Sequence, residues 1–203
     1  MSTATTIPCE AQQLTCGKII IVFDISESMY FQQRLVNSKA ALKDWLTYDV
    51  PYGTHVGLVP FEFKAHIDKG FALQVVDSSS LPNITKTINS LTSGGGTCIG
   101  EGLQAALHSQ TLLNNTNDGN IILIGDGIDG CSTPPFNQLT TEYARKNTTV
   151  YALSVGNGLD NKVENITKVT GGKVFDVPDT MKKDDFNGIL RQICKSGCGE
   201  GKT

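Results

Sequence analysis

The chain has 203 residues, 39% hydrophobic and 18% charged, enough to bury a full core at about the size of one domain. Its 17 lysines and arginines against 20 aspartates and glutamates give a formal net charge of -3, and without any basic run this argues against nucleic acid as a partner. The longest apolar run, Ile19-Ile20-Ile21-Val22-Phe23, is far below the roughly 20 residues of a membrane-spanning helix, so no direct membrane insertion is expected.

The opening Met-Ser-Thr-Ala-Thr-Thr-Ile-Pro has neither a basic nor an apolar leader region, so any secretion signal is expected to have been removed or to lie outside this segment. Residues 1–16 form a polar lead-in containing Cys9 and Cys16. Lys18 to Asp24 reads as a buried strand, since its consecutive β-branched residues leave no polar face. A crossover helix follows over Gln32 to Tyr48, with Leu35, Ala41, Leu42, Trp45 and Leu46 at helical spacing and Pro51-Tyr-Gly53 ending it. His55 to Phe63 is a second buried strand, and Ala65 to Val76 a less apolar one whose short connection fits an antiparallel edge. Helices are predicted over Leu81 to Leu91 and Ile99 to Leu113, separated by Ser93-Gly-Gly-Gly-Thr97. Strands Asn120 to Gly125, Thr149 to Val155 and Lys173 to Val177 alternate with helices Phe136 to Lys146, Asn161 to Thr170 and Lys183 to Ile193. This order predicts an α/β fold, a Rossmann-like open and mostly parallel six-stranded sheet with one antiparallel edge strand and helices on both faces.

The six cysteines are Cys9, Cys16, Cys98, Cys131, Cys194 and Cys198. Zinc needs clustered Cys and His ligands, and Cys194-Lys-Ser-Gly-Cys198 has no histidine near it. Glycosylation sequons without a central proline stand at Asn83, Asn114, Asn147 and Asn165. Even cysteines, sequons and mild acidity favour an extracellular setting, as a secreted protein or the ectodomain of a larger one.

In open α/β sheets, sites form at the carboxyl ends of strands where the chain reverses across the sheet. The first strand ends in Asp24-Ile-Ser26-Glu-Ser28, one carboxylate and two hydroxyls at alternate positions. The strand from Asn120 ends in Asp126-Gly127, and the glycine loop between them offers the Thr97 hydroxyl. Two carboxylates and three hydroxyls suit a hard divalent cation, Mg²⁺ or Mn²⁺ ahead of a tight Ca²⁺ cage. Two carboxylates only balance that charge, so an open coordination position would attract an acidic group from outside. The competing reading makes Asp24 a turn cap and Asp126-Gly127 a plain turn.

These residues resemble the metal-ion-dependent adhesion site of von Willebrand factor type A domains, over about residues 17 to 195. The tail 196–203, with Cys198, lies beyond. Asp24, Ser26 and Ser28 match D-x-S-x-S, Thr97 the loop threonine and Asp126 the D-G aspartate. The resemblance implies that all five hold the metal, directly or through water, and that an Asp or Glu carboxylate of a protein ligand completes the shell. Within the family, Met29 through Arg34-Leu35, Gly94-Gly-Gly-Thr-Cys-Ile99 and Val169-Thr-Gly-Gly172 are similar to the A domain of the calcium-activated chloride channel regulators. Glu27 stands where glycine is common and is expected to point into solvent. Cys98 beside Thr97 and Cys131 after Asp126 are expected to pair and brace the two metal loops. The remaining cysteines suggest a terminal clasp joining Cys9 or Cys16 to Cys194 or Cys198. In inserted-domain relatives the last helix slides as the metal site rearranges, which makes Lys183 to Ile193 the candidate moving element, restrained if the clasp ties its end.

The resulting expectation is a non-enzymatic adhesion module. A structural or regulatory module whose metal takes no ligand is the alternative. Enzymes are more remote. Gly94-Gly-Gly-Thr97 is neither a dinucleotide nor a Walker loop. An aspartyl-nucleophile phosphatase would need an acid where Ser26 stands. No nucleophile elbow is present, and His55, His66 and His108 form no H-E-x-x-H.

Overall fold

The computed structural model describes residues 15–111, 119–131, 134–156 and 158–195. In chain order the elements are β1 (Thr15–Cys16), β2 (Lys18–Asp24), α1 (Arg34–Tyr48), β3 (His55–Phe61), β4 (Phe71–Val75), α2 (Leu81–Ser90), α3 (Ile99–Thr111) and β5 (Gly119–Gly125). They continue with α4 (Phe136–Arg145), β6 (Thr148–Val155), α5 (Asn161–Val169), β7 (Val174–Val177), α6 (Asn187–Ile193) and β8 (Cys194–Lys195). The main sheet has six strands in the order β4-β3-β2-β5-β6-β7, with β4 alone antiparallel. The expected α/β architecture is therefore present.

The apolar run of β2 is central because it feeds both faces. Ile19, Ile21 and Phe23 pack with Leu42, Trp45 and Leu46 of α1, Ile84 and Ile88 of α2 and Ile189 of α6. Ile20 and Val22 point the other way, into a core with Leu103 and Ala106 of α3, Leu139 and Tyr143 of α4 and Ile166 of α5. The Tyr143 hydroxyl satisfies itself in that core by donating to the Leu103 carbonyl at 2.6 Å. The order in which strands are added across the sheet reverses between β2 and β5, which lie side by side and parallel with Phe23 opposite Ile124, so the loops leaving both strands share one rim.

Four elements differ from the sequence expectation. The helix expected from Gln32 begins at Arg34, because Glu27–Gln33 winds as a 3₁₀ segment that bends through left-handed Gln32 and Gln33. The strand expected from Ala65 shrinks to Phe71–Val75. Ala65 keeps only a bridge to Phe61, and His66 donates its amide to the Pro60 carbonyl before a short turn at Ile67–Lys69. The second strand stops at Phe61, two residues short of the expected end. The last helix is broken into a 3₁₀ turn, Lys183–Phe186, followed by α6, which lets the Phe186 ring stack on Trp45 with centroids 4.6 Å apart.

A small second sheet pairs Cys16 with Cys194 and Thr15 with Lys195, antiparallel, and a disulfide joins Cys16 to Cys194. The end of α6 is thus tied to the residues leading into β2. Cys9 and Cys198 of the expected clasp lie outside the described residues. Among the described residues no helix is long and apolar enough to cross a membrane.

Candidate functional site

Asp24 ends β2 at 0% exposure, beside the end of β5. Its Oδ1 accepts the Ser26 amide at 2.8 Å, a turn that points the next residues up to the rim. Its Oδ2 is buried without a hydrogen-bond partner. Burial, opposed by the hydrogen bonds from Ser26 and reinforced by the nearby charge of Asp126, pushes the Asp24 carboxyl up to about 7. Gly125 leaves the space this carboxylate needs, since a Cβ there would lie 3.0 Å from Oδ2.

The hydroxyls link Asp24 to the second carboxylate. Ser26 Oγ and Ser28 Oγ are 3.0 Å apart, and Ser28 Oγ donates to Asp126 Oδ1 at 2.7 Å. Thr97 arrives by packing: its Oγ1 and Cγ2 stand 3.3 Å from where a Gly127 Cβ would be, so the glycine of Asp126-Gly127 admits the threonine. The Gly130 amide donates to the Thr97 carbonyl at 2.8 Å, and Asp129 Oδ1 accepts the Ile99 amide at 3.0 Å at the start of α3. A disulfide joins Cys98 to Cys131. Three separate ties thus hold the Thr97 loop to the loop after Asp126. Glu27 is exposed, and its amide donates to the Gly95 carbonyl at 3.1 Å, joining the first loop to the glycine loop.

Further side chains enter the site without having been read as ligands, Arg34 among them although it stands in the Met29 to Leu35 stretch that carries the resemblance. Arg34, at the first position of α1, donates from Nη1 to Asp126 Oδ2 at 2.6 Å and from Nε to Asp179 Oδ1 at 2.6 Å. The Asn37 side chain secures the same turn by donating to the Asp179 carbonyl at 2.8 Å. Glu62 reaches over Gly95, where a Cβ would run into its carboxylate and where φ is +74°. Although burial opposes it, the hydrogen bond with His66 at 2.8 Å helps hold the Glu62 carboxyl below its ordinary value.

The donor set fits a hard divalent cation. An unpartnered buried carboxylate oxygen lies in one hydrogen-bonded cluster with a second carboxylate and two hydroxyls, and a third hydroxyl packs against it. Among the described residues no group of three or more His, Cys, Asp and Glu side chains gathers as a metal site, and the cluster around Asp24 offers two carboxylates and hydroxyl oxygens. Of the sequon asparagines, Asn83, Asn147 and Asn165 are exposed, and Asn114 lies outside the described residues.

Residues 18–189 match the model of the von Willebrand factor type A domain. Calcium-activated chloride channel regulator 3A-1 of Mus musculus is 30% identical over 186 residues, covering 91% of this chain and 19% of that protein. Calcium-activated chloride channel regulator 1 of Homo sapiens is 26% identical over 190 residues, covering 94% of this chain and 19% of that protein. The chain thus spans about a fifth of the length of the curated relatives it matches. Among solved structures, a von Willebrand factor type A protein from Catenulispora acidiphila superposes with a TM-score of 0.69 at 20% identity, over 86% of this chain and 42% of that one. Proximal thread matrix protein 1 from the mussel byssus, with a zinc-occupied MIDAS motif, gives 0.66 at 21% identity, over 94% of this chain and 48% of that one.

Proposed function

Because the chain belongs to the von Willebrand factor type A domain family, we propose that Asp24, Ser26, Ser28, Thr97 and Asp126 hold one divalent cation through which the domain binds an acidic group of a protein partner. The observation that carries this reading is the orphaned Asp24 Oδ2, buried in the cluster that contains Asp126. A bare carboxylate oxygen in that position costs free energy unless a cation or a proton compensates it. The cation supplies Lewis acidity toward an incoming carboxylate. The chain's own residues fix the ligand geometry, and Arg34 draws on part of the charge of Asp126, leaving the cation more of its own for the partner.

Hydroxyl-rich oxygen ligation favours Mg²⁺, with Mn²⁺ or Ca²⁺ as substitutes. The zinc in the mussel protein indicates that a site of this type tolerates a softer ion there. The module is read as non-enzymatic and extracellular: the described cysteines are all in disulfides, and three sequon asparagines are exposed for glycans. A second reading, a regulatory module within a longer protein, is favoured by relatives about five times as long whose names describe regulators.

Calorimetric titration of Mg²⁺, Mn²⁺, Ca²⁺ and Zn²⁺ into EDTA-treated protein tests the proposal. One site per chain, lost in Asp24→Ala and Asp126→Ala, is the expected result. Equal heats from wild type and both variants would refute it.

A further inference from the structure

We propose that Asn83 and Asn165 carry N-linked glycans, one on each helical layer, which close both faces of the domain and leave the rim of the sheet as its contact surface for other proteins. The inference is independent of the cation reading; the rim enters only as a place in the fold.

Asn83-Ile-Thr85 and Asn165-Ile-Thr167 have the acceptor pattern of N-glycosylation. Both asparagines are exposed, and neither side chain has a hydrogen-bond partner among the described residues. Both stand inside helices, Asn83 in the first turn of α2 and Asn165 in the middle of α5. Asparagine is a weak helix former, so neither propensity nor packing accounts for an exposed, unpartnered one at these positions. The threonines are satisfied by their own helices. Thr85 Oγ1 donates to the Leu81 carbonyl at 2.9 Å, and Thr167 Oγ1 to the Glu164 carbonyl at 2.9 Å. The folded helices thus turn the threonine hydroxyls back onto the backbone and leave the asparagine amides in solvent, where an attached sugar chain has room. Asn147, the third exposed acceptor, has a structural reason of its own. At φ 51° it follows α4 in the left-handed conformation that asparagine tolerates better than most residues.

The topology separates the two acceptors. Ile84 and Ile88 of α2 pack into the core shared with α1 and α6, whereas Val163 and Ile166 of α5 pack into the core shared with α3 and α4. Asn83 and Asn165 therefore belong to layers on opposite sides of the sheet. Neither is at the rim that carries Asp24 and Asp126. Helix α2 follows β4, whose last residue, Val75, pairs with His55 at the start of β3, so Asn83 is near the pole opposite that rim. Helix α5 runs from Asp160, beyond the carboxyl end of β6, to Thr170, whose hydroxyl accepts the Val150 amide near the start of that strand. Asn165 is halfway between the poles. Asn147 directly precedes β6 and belongs to the far pole as well. Among the described residues no acceptor asparagine stands at the carboxyl ends of β2 and β5.

An N-linked glycan is bulky and hydrophilic, so it excludes an approaching protein from the helix that bears it while keeping that surface solvated. One glycan on α2 and one on α5 close the two helical faces together. The rim stays open, and protein contact is directed to the surface where the loops after β2 and β5 meet the glycine loop.

The test uses the full chain secreted from cultured insect cells behind a cleavable leader. Peptide mapping after glycosidase release in heavy-oxygen water is expected to label Asn83 and Asn165. Asn83→Gln and Asn165→Gln are each expected to remove one step in gel mobility, and Thr85→Ser, which keeps the acceptor pattern, to remove none. Occupancy is read from the wild-type chain, so it is decided even where a Gln variant is poorly secreted. An unlabelled asparagine at either position would overturn the proposal. Single-domain antibodies raised against the deglycosylated chain and sorted by epitope then test the open rim. Binders to α2 and α5 are expected to lose at least about tenfold in affinity for the glycosylated chain, and binders to the loops after β2 and β5 to lose nothing. Equal affinity of the α2 and α5 binders for both forms, or loss of the rim binders, would overturn the assignment of the rim as the contact surface.

Discussion

Arg34 Nη1 lies 2.6 Å from Asp126 Oδ2, joining the first residue of α1 to a buried carboxylate 92 positions later in the chain. The Asp126 side chain is wholly inaccessible and that of Arg34 is 18% exposed, so water screens the pair only weakly. Through Nε the same guanidinium holds Asp179, in the segment between β7 and the 3₁₀ turn that leads to α6. One side chain therefore connects the candidate metal loop, the bend after Ser28 and the approach to the last helix.

Replacing Arg34 by Gln leaves Asp126 charged and buried beside Asp24. In EDTA the variant is expected to lose about 3 kcal/mol of stability, the usual scale for removing one partner of a buried pair. Saturating Mg²⁺ is expected to stabilise it more than it stabilises wild type, because the cation takes over as counter-charge to Asp126. Thermal denaturation with and without Mg²⁺ checks both; equal Mg²⁺ gains in the two proteins would contradict the role assigned to Arg34.

The raised Asp24 carboxyl has a definite sign. With its value lifted from 3.8 to about 7 by burial, the folded chain retains a proton that the unfolded chain releases. The contribution of this group to stability is therefore full below about 4 and is lost as pH rises toward about 7, in the absence of metal. Divalent cations need the ionised form, so their stabilising effect is expected to grow over the same interval. Comparing wild type with Asp24→Asn across that range isolates the group: the variant is expected to lack both trends.

The two described disulfides act at different places. The Cys98–Cys131 bond closes a separation of 33 residues between the Thr97 loop and the loop after Asp126. Serine at both positions is expected to cost roughly 4 kcal/mol by loop closure and to weaken Mg²⁺ binding as well. The Cys16–Cys194 bond closes a separation of 178 residues. Its removal is expected to cost up to about 5 kcal/mol and leave Mg²⁺ affinity nearly unchanged, while raising amide exchange in α6. Denaturant titration, calorimetry and hydrogen exchange separate the two. A clasp variant with unaltered exchange in α6 would show that the disulfide does not restrain that helix.

The sheet was legible because buried parallel strands announce themselves as apolar runs: Ile19 to Phe23 supplies both cores from one strand. The candidate ligands were legible for a related reason, since Asp24, Ser26, Ser28 and Asp126 follow such runs directly. Arg34 and Asp179 were not, because their contact spans 145 positions and neither belongs to a periodic pattern. The left-handed Gln32 and Gln33 escaped notice because turns of that kind normally carry glycine or asparagine. The two-residue strands Thr15–Cys16 and Cys194–Lys195 are too short to leave any alternation. The early break in the last helix accompanies the stacking of Phe186 on Trp45, a tertiary contact no local propensity encodes.

The central claim is that Asp24 and Asp126 share one divalent cation. Anomalous diffraction from crystals of the chain grown with Mn²⁺ tests it most directly. The expected result is a single peak bounded by Asp24, Ser26, Ser28, Thr97 and Asp126, absent from Asp24→Ala crystals. A peak elsewhere on the chain, or none at this cluster at saturating Mn²⁺, would contradict it.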